Sequence, residues 1–206
     1  MNEFDEKALT WDDNILNIER AKAIADKIKD QVPLNKDMRG FEYGCGTGLL
    51  SLNLISALKS ITMADSSDGM LQVLRKKIQL QNITNMDVVN MDLVTDENVS
   101  EKFDIIFTAM TIHHIEDVPS ILSNFYHMLS PNGFLCIADL DKEDGSFHGP
   151  EFKGHLGFDR AYLKKLYETT GFENVITESC YAMKRTNDIG ETSEYPLFLI
   201  TGKRGK

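Results

Sequence analysis

Three glycines at alternate positions, Gly44, Gly46 and Gly48, lie between an apolar run and a helix-forming run. Two acidic residues accompany them: Glu42 precedes the first glycine by two positions, and Asp65 follows Gly46 by nineteen, at the end of another apolar run. Glycines let a backbone turn sharply and approach a ligand closely, because no side chain stands in the way. A carboxylate at the end of the next strand can accept hydrogen bonds from both hydroxyls of a ribose. The pattern therefore predicts a nucleotide-binding turn.

The spacing of the glycines indicates which nucleotide binds. Dinucleotide-binding turns have the pattern G-x-G-x-x-G and hold a pyrophosphate at a helix N-terminus, whereas residues 44–48 give G-x-G-x-G. Glu42 would repel a pyrophosphate but attract a cation. S-adenosylmethionine carries an ammonium and a sulfonium and has no phosphate, so the charges favour it over NAD. The phosphate-binding pattern G-x-x-x-x-G-K-[ST] does not occur in the sequence.

Strands and helices must position these residues. Short apolar runs alternate with helical runs from residue 38 onwards, which predicts an α/β fold with a mostly parallel sheet and helices on both faces. The predicted strands span 38–43, 60–64, 86–90, 103–109, 134–138, 172–182 and 195–202, the last two forming an antiparallel hairpin. Ligands bind at the carboxyl ends of such strands, where Gly44–Gly48, Asp65, Asp92 and Thr108–His114 all fall.

The predicted helices cover about 13–31, 47–57, 70–78 and 118–129, and a further one begins after Asp159. Asp12 or Asp13 is expected to cap the first of these helices. We predict a single domain over 1–206, in which 1–35 form an N-terminal arm and helix and 36–206 form the core.

Composition argues against several functional classes. The 206 residues carry a net charge of −10, which argues against nucleic acid as the main partner. No apolar run approaches the roughly 20 residues of a membrane helix, and the acidic N-terminus lacks a signal core, so we expect a cytoplasmic protein without a membrane partner. Cys45, Cys136 and Cys180 lie far apart, without zinc spacing, and are expected to be reduced.

Six segments, which make up five motifs, together resemble a known enzyme family. Residues 42–48 resemble the first motif of the class I S-adenosylmethionine-dependent methyltransferases, and the other motifs follow in the expected order, in Asp65–Leu71, Asn90–Leu93, Phe103–Ile106 with Ile112–Asp117, and Leu129–Phe134. The most similar branch acts on small molecules and includes quinone-biosynthesis methyltransferases. The resemblance implies a Rossmann-like fold with seven strands, one of them antiparallel near the C-terminus, and S-adenosylmethionine as the methyl donor.

The resemblance also implies the contacts of the cofactor. The backbone of Gly44–Gly48, with Cys45 in its middle, would lie along the methionine part, and Glu42 would lie near the ammonium. Asp65 would bind the ribose, and Asp92 would accept a hydrogen bond from the adenine amino group. Further contacts would come from Ser66, Met70, Leu93, Thr108 and Ala109.

His113 and His114 follow strand four, next to the expected position of the methyl group. One of them would act as a general base, worth about 10²–10⁴-fold in rate, or would orient the acceptor; the alternative is that both pack the loop and shape the cofactor site. Asp139, His148 and His155 lie in the polar stretch after strand five and are expected to line the acceptor pocket, although a solvated loop would have the same composition. The spacing of the histidines in this stretch matches no strong metal motif, so no metal is expected.

Trp11 is the only tryptophan and lies in the N-terminal arm. We expect it to contact the acceptor and, with Phe4 and the first helix, to form a lid that excludes water; simple docking on the sheet is the alternative. The sequence thus predicts a monomeric or homodimeric enzyme that transfers a methyl group to an oxygen, nitrogen or carbon of a small molecule and releases S-adenosylhomocysteine. The rival functions are protein or RNA methylation and a non-catalytic cofactor-binding module.

Overall fold

The computed structural model describes residues 3–94, 101–186 and 190–206. Its seven strands form one sheet in the order β3-β2-β1-β4-β5-β7-β6. Only β7 runs antiparallel to its neighbours, β5 and β6, which confirms the predicted architecture. The strands are β1 Arg39–Tyr43, β2 Ser60–Asp65, β3 Met86–Asn90, β4 Phe103–Ala109, β5 Leu129–Leu140, β6 Phe172–Thr186 and β7 Thr192–Arg204.

Six α-helices flank the sheet in the described part of the chain: α1 Glu3–Lys7, α2 Ile15–Gln31, α3 Leu49–Leu54, α4 Asp68–Leu80, α5 Val118–Met128 and α6 Arg160–Thr170. Short polar side chains cap them, since these accept hydrogen bonds from the first free amides. Asp159 caps α6 as predicted. The prediction for α2 was wrong: Asn14 caps it, because Asp12 and Asp13 belong to a preceding 3₁₀ turn, Ala8–Asp13.

Helices cover both faces of the sheet, as the sequence predicts. Alternate residues of β4 point to opposite faces: Ile105 and Phe107 pack in one apolar cluster with α2, α3 and α4, whereas Ile106 packs in a second cluster with α5 and α6. Burial of these two clusters fixes the strand register and therefore the position of every residue at the strand ends.

The strands near the C-terminus are longer than predicted. β5 includes Asp139 and Leu140 because its ladder with β7 continues as far as Leu140, which is paired with Leu197. Asp139 is therefore a buried strand residue and does not belong to a loop. None of the helices in the described ranges is long and apolar enough to cross a membrane.

Candidate functional site

The glycine turn joins the end of β1 to α3. Gly44, Gly46 and Gly48 have φ angles of +67°, +52° and +80°, in the left-handed region that favours glycine. A Cβ on Gly44 would lie 2.3 Å from the hydroxyl of Thr111, and one on Gly48 would lie 2.4 Å from Leu74. A Cβ on Gly46 would meet nothing nearer than 4.0 Å. The outer glycines thus allow close packing, whereas the central one has open space beside it.

Asp65 connects the end of β2 to this turn. Its carboxylate accepts hydrogen bonds from the amide of Gly46 at 2.7 Å and from the amide of Ser67 at 2.8 Å. Burial raises its pKa above the ordinary value. Ser66 beside it is exposed, and Met70 in the first turn of α4 is buried. The turn and the acid that the sequence pairs are therefore in direct contact.

Glu42 is the most deeply buried acid of the turn, at 3% exposure. Its carboxylate accepts hydrogen bonds from the Ser51 hydroxyl and, at 3.2 Å, from the Ser51 amide. Burial raises the pKa of Glu42 to about 8, against the opposing effect of these bonds. Glu42 thus ties the end of β1 to α3, a contact that the sequence did not indicate. Cys45 is also buried, and burial raises its thiol pKa; it is a free cysteine, as are Cys136 and Cys180.

Asp92 and its neighbours lie beyond the end of β3. Asp92 accepts a hydrogen bond from the Tyr43 hydroxyl at 3.0 Å and from the amide of Val94 at 3.0 Å. Burial and the Asp92 charge raise the pKa of Tyr43, and Leu93 is buried next to Asp92. Tyr43 packs in the core, and its hydroxyl links the end of β1 to Asp92.

The end of β4 contributes Thr108 and Ala109. Thr108 is buried, and within residues 3–94, 101–186 and 190–206 its hydroxyl has no hydrogen-bond partner. Ala109 accepts a hydrogen bond through its carbonyl from Thr111, the residue packed on Gly44. The first turn beyond β4 is therefore in contact with the glycine turn.

Three histidines, His113, His114 and His148, come together beside this turn, and we refer to them as the histidine cluster. One ligand nitrogen from each lies within 4.8 Å of the others. His113 is buried in a 3₁₀ turn, Ile112–His114, and its Nδ1 lies 2.6 Å from Asp139 Oδ1. His114 is exposed, and His148 is partly buried. Burial, together with the other two histidines, lowers the pKa of His148 to about 4.

Comparison with known proteins identifies the family. A family model for a methyltransferase domain matches residues 16–177. The chain belongs to the class I S-adenosylmethionine-dependent methyltransferases. An uncharacterized methyltransferase of Schizosaccharomyces pombe is 30% identical over 152 residues, 70% of this chain and 50% of that protein. The chain therefore spans half the length of this relative.

Solved methyltransferase structures share the fold. The N-methyltransferase NodS of Bradyrhizobium japonicum superposes with a TM-score of 0.70 at 18% identity, over 95% of this chain and 99% of that one. A phosphoethanolamine N-methyltransferase of Haemonchus contortus, in complex with S-adenosylmethionine, gives 0.71 at 14% identity, over 100% and 61%. The family assignment makes this chain a methyltransferase domain.

The residues of the glycine turn fit this cofactor. The open surface over Gly46 leaves room for a ligand, and the Asp65 carboxylate stands beside it. The buried, unpartnered hydroxyl of Thr108 offers one more polar contact among the described residues. These features suit a ligand that is cationic and hydroxylated.

The acidic side chains of residues 139–144 in this methyltransferase are engaged by other groups of the protein. Asp139 bonds to His113, and Asp141 receives two hydrogen bonds of 2.5 Å from Arg160. Glu143 accepts from two amides of its own loop, and Asp144 accepts from Ser146. The hydrogen bonds of these carboxylates stabilise the loop and position His113.

His155 lies away from the other predicted acceptor residues. Its Nε2 is 2.9 Å from the carbonyl of Ile115, on the rim of a separate cavity of about 440 Å³ lined also by Lys142, Phe158 and Tyr162. Its backbone amide, however, donates to the carbonyl of His113 at 2.7 Å. His155 therefore anchors the loop that carries His148.

The N-terminal arm of this methyltransferase reaches both sides of the site. Asp5 accepts hydrogen bonds from the Ser67 hydroxyl at 2.6 Å and the Gly69 amide at 3.0 Å, next to Asp65. Phe4 packs edge-on against His114 and against Trp11, with ring centroids 5.6 and 6.2 Å away. No sequence pattern indicates the role of Asp5, because its partners are distant along the chain.

Proposed function

We propose that this methyltransferase transfers a methyl group from S-adenosylmethionine to an oxygen, nitrogen or carbon of a small molecule. The observation that carries the proposal is the position of the histidine cluster. It begins two residues beyond Thr111, which packs on Gly44 of the glycine turn. The cofactor-type turn and side chains able to handle a proton are thus brought close together through Thr111.

On the cofactor side, Asp65 would bind the ribose and Asp92 the adenine amino group. The backbone at Gly46 would follow the methionine part, with Thr108 and Ala109 closing that end. Leu93 and Met70 are buried next to these acids and would pack against the adenosine. The bound cofactor supplies an electrophilic methyl group on a sulfonium.

On the acceptor side, His113 is oriented by Asp139. When Nδ1 donates to the carboxylate, Nε2 carries the lone pair and can accept a proton or a hydrogen bond. Alignment of an acceptor with the methyl carbon can lower the barrier by about 7–11 kcal/mol, and a base adds about 10²–10⁴-fold. The residues of this chain therefore have to align the acceptor and exclude water.

Residues of the N-terminal arm would cover both the cofactor side and the acceptor side of the site. Phe4 touches His114, Asp5 touches the loop beside Asp65, and Asp12 accepts from Thr47 of the glycine turn at 2.6 Å. Each contact joins the arm to a residue next to the predicted cofactor or acceptor. Trp11, which is partly buried beside Phe4, would then exclude water from the reacting groups.

The test has two stages that separate binding from turnover. Calorimetry with S-adenosylhomocysteine and with NAD should show binding of the first only. Release of S-adenosylhomocysteine from S-adenosylmethionine is then measured with small amines, phenols, carboxylic acids and carbon acids as acceptors, and with protein and RNA for comparison. Turnover of a small acceptor supports the proposal. Turnover only with protein or RNA, or binding without turnover of any acceptor, contradicts it.

A further inference from the structure

The histidine cluster has a geometry that proton transfer alone does not require. Three imidazole nitrogens converge from two separate segments, the turn after β4 and the loop after β5, to within 4.8 Å of one another. Imidazole nitrogens that converge in this way can act together on one ligand.

Asp139 orients the His113 ring in the way that a carboxylate orients a metal-binding histidine. It is fully buried and contacts both Nδ1 of His113, at 2.6 Å, and the backbone amide of His113, at 3.2 Å. It also accepts from the amide of Leu140 at 2.8 Å, which fixes the carboxylate. Metal-binding histidines commonly donate their other ring nitrogen to such a carboxylate, which sets the tautomer and the ring direction.

Two nitrogens of the cluster lack a partner. Nε2 of His113, in a side chain that is 1% exposed, and Nε2 of His148 are both buried without a hydrogen-bond partner among the residues described. Buried polar atoms are normally satisfied, so both atoms call for a ligand. A metal ion would accept both lone pairs at once.

Three phenylalanine rings pack against the cluster, and the charge of Arg185 also acts on His148. The Phe152 ring stacks on His148 with centroids 3.9 Å apart, Phe147 packs edge-on against it at 4.6 Å, and Phe4 packs against His114. Exposed His114 leaves an approach from solvent.

We propose that His113, His114 and His148 bind a divalent transition-metal ion of the zinc type. Three neutral imidazoles suit zinc and its neighbours, whereas calcium and magnesium prefer oxygen ligands. Zinc–nitrogen bonds of about 2.0–2.1 Å in a tetrahedron place ligand nitrogens about 3.3 Å apart, so rotation of the exposed His114 and of His148 must bring the rings closer. The fourth position would accept an oxygen or nitrogen of the acceptor. His113 Nε2 would then orient the acceptor through the ion instead of taking its proton.

Metal binding is tested on the full chain after chelator treatment and dialysis, by calorimetry with Zn²⁺ and absorption spectroscopy with Co²⁺. We expect one ion per chain and a tetrahedral Co²⁺ spectrum. His148→Ala and His114→Ala should each weaken Zn²⁺ binding at least a hundredfold, and Asp139→Asn about ten- to hundredfold. His127→Ala is the matched control, because His127 is exposed on α5, outside the cluster, and should leave binding unchanged.

A second measurement needs no variant and covers the case in which one fails to fold. X-ray absorption of the Zn²⁺-loaded wild-type protein counts the imidazole ligands directly. Three imidazoles support the proposal, whereas two or fewer, an octahedral Co²⁺ spectrum, or equal binding by wild type and His114→Ala/His148→Ala would overturn it. The proposal does not rest on the proposed acceptor: Zn²⁺ binding without turnover contradicts only the function, and turnover without Zn²⁺ binding contradicts only the site.

Discussion

The cofactor side and the acceptor side of this methyltransferase are built differently. The cofactor side is a continuous turn whose backbone amides meet the Asp65 carboxylate, and its three glycines lie within five residues. The acceptor side is assembled from the arm at Phe4, the turn at His113 and the loop at His148. Main-chain conformation defines the first side, whereas side-chain contacts between distant segments define the second.

The difference shows which part of the site depends on a single side chain. Around Asp65, the glycine turn keeps its own backbone bonds, such as the amide of Gly48 to the carbonyl of Cys45 at 2.8 Å. Around His113, one buried carboxylate, Asp139, serves three N–H donors. We therefore expect the acceptor side to be the more sensitive to loss of one residue.

The largest expected effect is that of Asp139→Ala. Removing the carboxylate leaves buried N–H groups of His113 and Leu140 without an acceptor, so the free energy of unfolding should fall by about 3–5 kcal/mol. Urea unfolding measures it. Asp141→Ala, two residues further on, removes a partly exposed pair with Arg160 and should cost about 1 kcal/mol or less. Equal losses of unfolding free energy in the two variants would contradict the expectation that the acceptor side depends on Asp139.

A substitution on the cofactor side should weaken the binding of the cofactor. Asp65→Ala removes the acceptor beside Gly46, and we expect the Kd for S-adenosylhomocysteine to rise about a hundredfold, about 2.7 kcal/mol. Calorimetry measures this change. Asp87→Ala, on the exposed face of the neighbouring β3, controls for the loss of one negative charge. A change within threefold for Asp65→Ala would exclude that residue from the cofactor site.

The same difference explains how far the sequence could predict the fold. Strand β3 and strand β4 have the predicted bounds, because their apolar runs end where burial ends. β5 was predicted too short at Ala138, since its last two residues include the charged Asp139. An aspartate in a buried strand is stable only with a partner, and that partner, His113, lies in another segment.

The sequence predicts those parts of the candidate site whose residues are related by a short, regular spacing. Gly46 and Asp65 are paired by a spacing that a linear pattern contains, and they are in contact. His148 meets His113 only because the amide of His155 binds the carbonyl of His113 and holds the loop there. The expectation of no metal came from linear spacing and stays a prediction, and linear spacing does not contain the convergence of His113, His114 and His148.

Glu42→Gln tests the buried acid of the glycine turn. The pKa of Glu42 rises from 4.5 to about 8 on folding, so between these values the folded chain holds a proton that the unfolded chain has lost. This contribution to stability is present below pH 4.5 and is lost as pH rises towards 8, at up to about 1.4 kcal/mol per unit. Glutamine cannot ionise, and it keeps an oxygen for the Ser51 contact.

The expected outcome for Glu42→Gln is a difference that grows with pH. At pH 5 the variant and the wild type should have similar free energies of unfolding, and at pH 7 the variant should be more stable by about 2 kcal/mol. Urea unfolding across this range measures the slope. Parallel pH profiles for the two proteins would show that Glu42 ionises normally in the fold.

The smallest expected effect on stability is that of Gly46→Ala, which separates the cost of backbone conformation from the effect on cofactor binding. Gly46→Ala costs only the left-handed conformation, about 1 kcal/mol, because its Cβ has open space, yet that Cβ would project where the cofactor should lie. Gly149→Ala, with φ +88° and nothing within 4 Å, is the matched control for conformation alone. Thermal unfolding should show similar losses for the two, and calorimetry should show weaker S-adenosylhomocysteine binding only for Gly46→Ala. Unchanged binding in both would mean that the open surface over Gly46 does not hold the cofactor.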